Sequence, residues 1–310
     1  MNPDQNHHDH LHHHTPSVPL RMNLSFAVAV IANLLFTLIE TILAFEANSI
    51  SLLGDAGHNF SDVLGLLLAW GAIYLVGRAS GSDYSYGYRR TTILAALLNA
   101  MILLFAAGYI ALQSVEKLYN PAAASETLII GVALVGIFVN GGTALLFMKS
   151  SKNDLNVKGA FLHLAYDALI SAGVVVGGVV ILFTGWLWVD PLMGLLITGV
   201  IVYGTWALLR DSVNLILDAV PQGIDRTGIV AYLSELPGVA QVHDVHIWAM
   251  STQENCLTAH LVMPDQTLWD QQDGYSQVGS MLRDNFAIHH VTLQVEKDPD
   301  CQTQDCDEEG

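Results

Sequence analysis

Four residues carry the chemistry most directly. His58 and Asp62 stand four apart, and so do His163 and Asp167. Four residues is just over one helical turn, so each H-x-x-x-D pair projects from one face of a helix. Two such faces turned toward each other present two imidazoles and two carboxylates, which is a tetrahedral site for a divalent cation. Neutral imidazole and carboxylate suit zinc. Two histidines disfavour magnesium, and the lack of a thiolate in the helices disfavours copper(I). One isolated His or Asp can be packing glue between helices. Two pairs at identical spacing argue against that, and one pair alone cannot complete four-coordination.

Both pairs lie inside long apolar runs. Windows of about 20 apolar residues mark six candidate membrane spans, covering 22–45, 53–77, 91–114, 126–149, 159–183 and 187–209. An ionisable group at the centre of such a span costs about 2.5–3.5 kcal/mol by insertion scales, so each one demands a function. The rest of the composition agrees. Of 310 residues, 52% are hydrophobic and only 13% charged, and the mean hydropathy is +0.42. That excludes a simple soluble enzyme and a disordered chain. A net charge of −17 excludes a nucleic-acid partner. Three cysteines are too few for a disulfide scaffold. The first span is no cleaved signal peptide, because a polar, His-rich stretch precedes it and no small-residue cleavage site follows a short apolar core.

Orientation follows from Lys and Arg in the short loops. Eight basic residues (Arg21, Arg78, Arg89, Arg90, Lys149, Lys152, Lys158, Arg210) fall on one side, and only Lys117 on the other. Both termini are therefore expected in the cytoplasm, where thiols stay reduced. After Leu209 the chain turns polar. A helix from Asp225 to Leu236, strands at Val239–Trp248 and Leu257–Met263, a helix from Leu268 to Phe286 and a strand at Val291–Val295 give the order αββαβ. That order implies a small sheet with helices on one face. The expected division is a His-rich tail (1–20), a six-helix membrane domain (21–209), a cytoplasmic α/β domain (210–298) and an acidic end (299–310).

Weaker polar signals sit in the same spans. Asp55 precedes His58 by one turn and is read as a cap for the second helix, or as part of the pathway mouth. Glu40 belongs to the pathway or snorkels to the interface. Asn33, Asn99 and Asn140 are expected to bond between helices, and Gly173, Gly177 and Gly178 to allow close packing.

At these residues the sequence resembles the cation diffusion facilitator family. The stretch from Ser51 to Asp62 (SLLGDAGHNFSD) looks like its second-helix signature and His163–Asp167 (HLAYD) like the fifth-helix partner. Asp211–Asp218 (DSVNLILD) resembles the join to the cytoplasmic domain, and the segment from His243 to Trp248 (HDVHIW) its first strand. The resemblance runs from about residue 22 to 298. It implies a homodimer in the lipid bilayer that exchanges a cytosolic divalent cation for protons by alternating access, with no enzymatic step. It also implies a ferredoxin-like cytoplasmic domain that binds regulatory metal. In that family histidine at the first quartet position goes with zinc, so Zn²⁺ is the expected substrate and regulatory ligand. Between the second and third spans some bacterial members carry a further His-and-Asp site. Here that loop reads Ser82 to Tyr88 with tyrosines instead, and no metal is expected there.

Outside the membrane, His7, His8, His10, His12, His13 and His14 form an N-terminal tract that reads as a metal collector, or as tolerated disorder. After Arg210 there are 17 acidic residues against three basic ones, a potential that attracts cations. His243 and His260 fall on adjacent predicted strands, and Glu296 and Asp298 close the third. By resemblance, His243, His260 and Glu296 match positions that bind regulatory metal, and Cys301 with Cys306 resembles a terminal cysteine pair with a longer gap. Cys256 is expected to be an inert buried thiol, and His246, His289 and His290 ordinary strand or surface residues. Metal binding needs neutral imidazole and so releases protons, and histidine titrates near enough to neutral pH for a gradient to reverse it.

The expected function is zinc export from the cytoplasm in exchange for protons, in a bacterial inner membrane. A broader carrier of cadmium, cobalt, nickel or iron is the first alternative, and a membrane metal sensor without flux the second. There is no H-E-x-x-H for a metalloprotease and no G-x-x-x-x-G-K-[ST] for an ATP-driven pump.

Overall fold

The computed structural model describes residues 24–77, 83–148, 155–264 and 274–297. Within them, the side chains of 24–30, 146, 147 and 155–160 fall outside the description. Six long helices come first: α1 (Leu24–Glu46), α2 (Ile50–Val76), α3 (Thr91–Tyr119), α4 (Glu126–Met148), α5 (Leu155–Thr184) and α6 (Val189–Ile216). Among the described residues five of them, α2 to α6, are long and apolar enough to cross a membrane. The side chains of α1 are described only from Ile31, and they carry the same signature. Ile31, Leu35, Ile39 and Ile42 are all more than half exposed. At spacings of three and four residues they form one apolar stripe, as a lipid-facing helix does. The His-rich tract, Arg21, Arg78, Lys149, Lys152, Asp298, Cys301 and Cys306 lie outside the described residues, as does the side chain of Lys158.

The chain divides into two compact units. One takes the chain up to Leu67 and from Ile102 to Gly204; the other takes Leu68–Met101 and the chain from Thr205 on. In the first, small residues let the helices close. A Cβ at Gly178 would lie 2.8 Å from Ile130 Cγ1 on α4, and one at Gly177 would lie 3.2 Å from Met193 Cγ on α6. That agrees with the expectation for these glycines. The asparagines differ. Asn33 Oδ1, Asn99 Oδ1 and both amide atoms of Asn140 find no partner among the described residues.

The start of α2 is held firmly. Asp190, buried at the first turn of α6, accepts hydrogen bonds from Ser49 Oγ (2.6 Å), Ser51 Oγ (2.6 Å), Ile50 N (2.8 Å) and Ser51 N (3.1 Å). A carboxylate satisfying otherwise orphan N–H groups of a helix N-terminus also meets the positive end of the helix dipole. The preceding turn is fixed too. Asn48 takes the left-handed conformation (φ 50°). Lys117 donates to its backbone carbonyl and, at 2.8 Å, to its Oδ1. Ser125 N donates to Ala47 O at 2.9 Å.

In the second unit, the polar C-terminal region forms α7 (Arg226–Ser234), β1 (Gln241–Ala249), β2 (Asn255–Val262), α8 (Gly274–Phe286) and β3 (Ile288–Glu296). The order αββαβ agrees with the sequence reading. Asp225 caps α7 by accepting from Gly228 N at 2.9 Å. β2 is central, antiparallel to β1 and parallel to β3. Ile229 and Leu233 of α7 and Val278 and Leu282 of α8 pack with Ile247, Leu257, Ala259, Leu261 and Ile288 into one core. Alternate residues of the strands therefore point to the opposite face.

Candidate metal centres

The i,i+4 geometry of α2 and α5 brings the four expected membrane residues together. His58 Nε2 lies 3.2 Å from Asp167 Oδ1 and 3.9 Å from Asp62 Oδ2. His163 Nε2 lies 3.1 Å from Asp62 Oδ2 and 3.7 Å from Asp167 Oδ2. Imidazole and carboxylate thus alternate around a ring, with the two imidazole centroids 6.0 Å apart. Asp62 Oδ2 and Asp167 Oδ2 are closed off from solvent and accept no hydrogen bond of proper angle among the described residues. Buried acceptors left so are costly. Oxygen and nitrogen atoms converging without a proton in line are a donor set for a dication. Access is graded. Asp62 is 24% and His163 46% exposed, against 20% for His58 and 0% for Asp167.

For two side chains the structure removes one of the two readings each was given. Asp55 lies five residues inside α2 rather than at its start. It is fully buried and accepts from Ser171 Oγ at 2.9 Å, so it does not cap the helix; Ser49 Oγ and Asp190 do that work. Glu40 does not snorkel. It is fully buried and accepts from Asn59 Nδ2 at 3.1 Å. Asn59, Ser171 and Asp190 were not singled out in the sequence. Ser171 was within reach, because it continues the four-residue spacing of His163 and Asp167 by one more turn.

A second cluster forms on the face of the sheet opposite the helices. His243 pairs with His260 across β1 and β2, and Glu296 pairs with Val262, two residues along from His260 and on the same face. His243 Nε2 lies 3.2 Å from Glu296 Oε2, and His260 Nδ1 lies 3.0 Å from Glu296 Oε1. One ligand atom from each falls within 4.8 Å of the others, so the donor set fits a divalent cation with room for a further ligand. The surrounding contacts orient it. Gln294 Nε2 donates to Glu296 Oε1 at 2.7 Å, and His260 Nε2 lies 3.3 Å from Asp244 Oδ2. Asp244 sits at a bulge in β1 with φ 51°, a conformation that a short polar residue tolerates. Burial alone would push the Glu296 carboxyl up. Hydrogen bonds from Gln294 and His243 and the charge of His260 outweigh it and hold the group below the usual carboxylate range.

The remaining histidines are elsewhere. His246 is exposed and bonds Asp244 at 2.8 Å. His289 Nδ1 accepts from Asn255 N at 3.3 Å, and His290 faces Arg89. Cys256 is buried at the second position of β2, and burial, then the nearby Glu254, pushes its thiol up. The burial agrees with the expectation of a buried thiol. Arg89 pairs with Glu254, and Arg90 Nη2 with Asp218 Oδ1 at 2.8 Å.

Apolar membrane helices enclosing a ring of imidazoles and carboxylates, followed by a small sheet with a ligand cluster of its own, define a membrane protein for divalent cations. Comparison with known proteins gives that class a family. Residues 26–217 match the cation efflux transmembrane domain, and residues 221–298 match the cation efflux protein cytoplasmic domain. The metal cation efflux system protein CzcD of Cupriavidus metallidurans is 34% identical over 91% of this chain and 88% of its own length. Zinc transporter ZitB of Escherichia coli K12 is 32% identical over 96% and 94%. The cadmium, cobalt and zinc/H(+)-K(+) antiporter of Bacillus subtilis is 31% identical over 84% and 85%. The chain belongs to the cation diffusion facilitator family of cation efflux transporters. It is an integral membrane protein whose C-terminal domain is cytoplasmic.

Proposed function

We infer that this protein exports Zn²⁺ from the cytoplasm in exchange for protons. The observation that carries the reading is the alternating ring of His58, Asp167, His163 and Asp62 inside apolar helices. Two carboxylates neutralise the ion, and two neutral imidazoles complete its coordination. Because imidazole binds metal only after losing its proton, loading and unloading are tied to proton release and uptake.

With the C-terminal domain in the cytoplasm, α2 runs inward and α5 outward. Asp62 and His163 are then the inner pair of ligands, and they are more exposed than His58 and Asp167. That gradient supports loading from the cytoplasmic side. Release requires the helix faces to reopen outward, a rocking motion about a site within the bilayer. In the cytoplasmic domain His243, His260 and Glu296 would hold a regulatory cation, with Asp298, Cys301 and Cys306 as candidate additional ligands and the N-terminal histidines as a collector. The match to a family of dimerising cytoplasmic domains supports a homodimer. The names of the relatives also support a wider range that includes cadmium and cobalt, and imidazole with carboxylate accepts both.

The test is flux into vesicles containing the purified protein. Zinc uptake driven by a pH gradient is expected, with cadmium and cobalt as competitors to set the range. Uptake indifferent to the gradient, or preserved in Asp167→Ala, contradicts the reading.

A further inference from the structure

A second polar group of residues lies about one helical turn outward of the quartet. Glu40 on α1 and Asp55 on α2 are each fully buried. One oxygen of each has a donor: Asn59 Nδ2 reaches Glu40 Oε2 at 3.1 Å, and Ser171 Oγ reaches Asp55 Oδ2 at 2.9 Å. The other oxygens, Glu40 Oε1 and Asp55 Oδ1, have no donor among the described residues. Asn59 stands one turn beyond Asp55 on α2 and holds the Glu40 carboxyl, which brings the two acids to the same stretch of that helix, where each acts on the other's charge. Two ionised carboxylates so placed repel and leave both acceptors unpaired. A single proton between them removes both penalties at once.

We propose that Glu40 and Asp55 jointly hold one proton, and that this acid pair takes up and gives up that proton during transport, apart from the four metal-holding side chains.

The surroundings favour a proton. Neither carboxyl hydrogen-bonds to a quartet residue. The charged groups that act on Asp55 are Glu40, His58 on its own helix and Asp167 on α5. From α4 the near group is Gly136, where a Cβ would lie 2.9 Å from Ser171 Oγ and 3.0 Å from Phe36 Cζ. That helix therefore adds bulk-free packing and no charge. Asn59 Oδ1 is a third buried oxygen without a donor, but a hard divalent cation needs six or more oxygens. The donors also connect the pair to the quartet. Asn59 follows His58 directly, and Ser171 stands one turn beyond Asp167. A change of charge at the pair is thus felt on both helix faces that hold the metal. A proton entering from the outer side meets the pair before it meets the quartet.

The existence of the shared proton stands by itself, while its role in transport rests on the proton-exchange reading. Infrared difference spectra of the full chain in lipid vesicles, between mildly acidic and alkaline medium, test the first. A protonated-carboxyl stretch that shifts in heavy water is expected. It should vanish in Glu40→Gln and in Asp55→Asn alike, because either amide takes the proton's place as donor. Zinc affinity in both variants should stay within a few fold of the parent, which shows that they fold. Glu40→Asp should keep the band. Absence of the band in the parent, its survival in both variants, or its loss on adding sodium or potassium salts overturns the pair. For the role, both amide variants should lose zinc flux driven by a pH gradient while keeping flux down a zinc gradient. Variants that keep gradient-driven flux overturn the role. A parent whose flux ignores the pH gradient while the band is present defeats the exchange reading and leaves the acid pair standing.

Discussion

The membrane quartet and the cytoplasmic cluster use the same chemistry on different supports. In the membrane, the candidate ligands come as two i,i+4 pairs from α2 and α5, and among the described residues no backbone hydrogen bond joins those helices side by side. In the cytoplasmic domain, the ligands come from three neighbouring strands whose ladder fixes their spacing. Gln294 and Asp244 further hold Glu296 and His260 in place. In the quartet, by contrast, Asp62 Oδ2 and Asp167 Oδ2 accept no hydrogen bond of proper angle among the described residues. The difference teaches that a site suited to keeping an ion is built on strands held in register by a hydrogen-bond ladder, with supporting contacts. A site meant to release it is split between two elements that can part.

The sharpest way to break this comparison is to remove one ligand from each region. Asp167→Ala leaves His58 and His163 without their shared buried counter-charge. Changes to merely supporting contacts cost about 10–100-fold in metal affinity, so loss of a ligand should lower zinc flux by at least about 100-fold. His260→Ala in the otherwise intact chain should abolish metal binding at the sheet and reduce flux only a few fold. Equal losses of flux would erase the distinction.

Next in size is Asp190→Asn. It replaces a buried acceptor of four hydrogen bonds at the start of α2 with a group that accepts fewer. A loss of about 2–4 kcal/mol is expected, read as a lower thermal midpoint. The quartet should weaken with it, because His58 lies two turns along the same helix. The cytoplasmic cluster should not change.

Acidity separates the two kinds of group within the cluster. Protonation of imidazole should release metal from His243 and His260, while Glu296 stays ionised because its pKa is held down. A depressed carboxyl pKa adds stability above its unfolded value of about 4.3 and loses it as pH falls through the lower folded value. The metal-free cytoplasmic domain should therefore hold its thermal midpoint until pH falls below about 4.3, well after metal has left. The smallest expected effect is Asp244→Ala. It removes the acceptor beside His260 Nε2 and should weaken metal at the sheet by about tenfold, measured by titration in an Asp167→Ala background.

Much of this was legible in the sequence because one helical turn is a rigid ruler. The spacing of His58 with Asp62 and of His163 with Asp167 picked out four side chains that the structure brings together, and the family resemblance picked out His243, His260 and Glu296, which also meet. What spacing does not encode is which neighbouring helix answers a polar residue. Asp55 reads as a cap from its position near an apolar run, yet its donor, Ser171, comes from α5. Asp190, which no sequence signal singled out, starts α6 yet serves the N-terminus of α2. The bulge at Asp244 shifts the β1 register between His243 and His246, and no alternation pattern marks it.

The outer end of α2 has a mechanical consequence. Asp190 grips it from α6, Lys117 from α3, and the backbone bond from Ser125 to Ala47 locks the adjoining turn. A rod clamped at one tip swings least there and most at its far tip. Small tilts about this triple clasp therefore move Asp62 farther than His58.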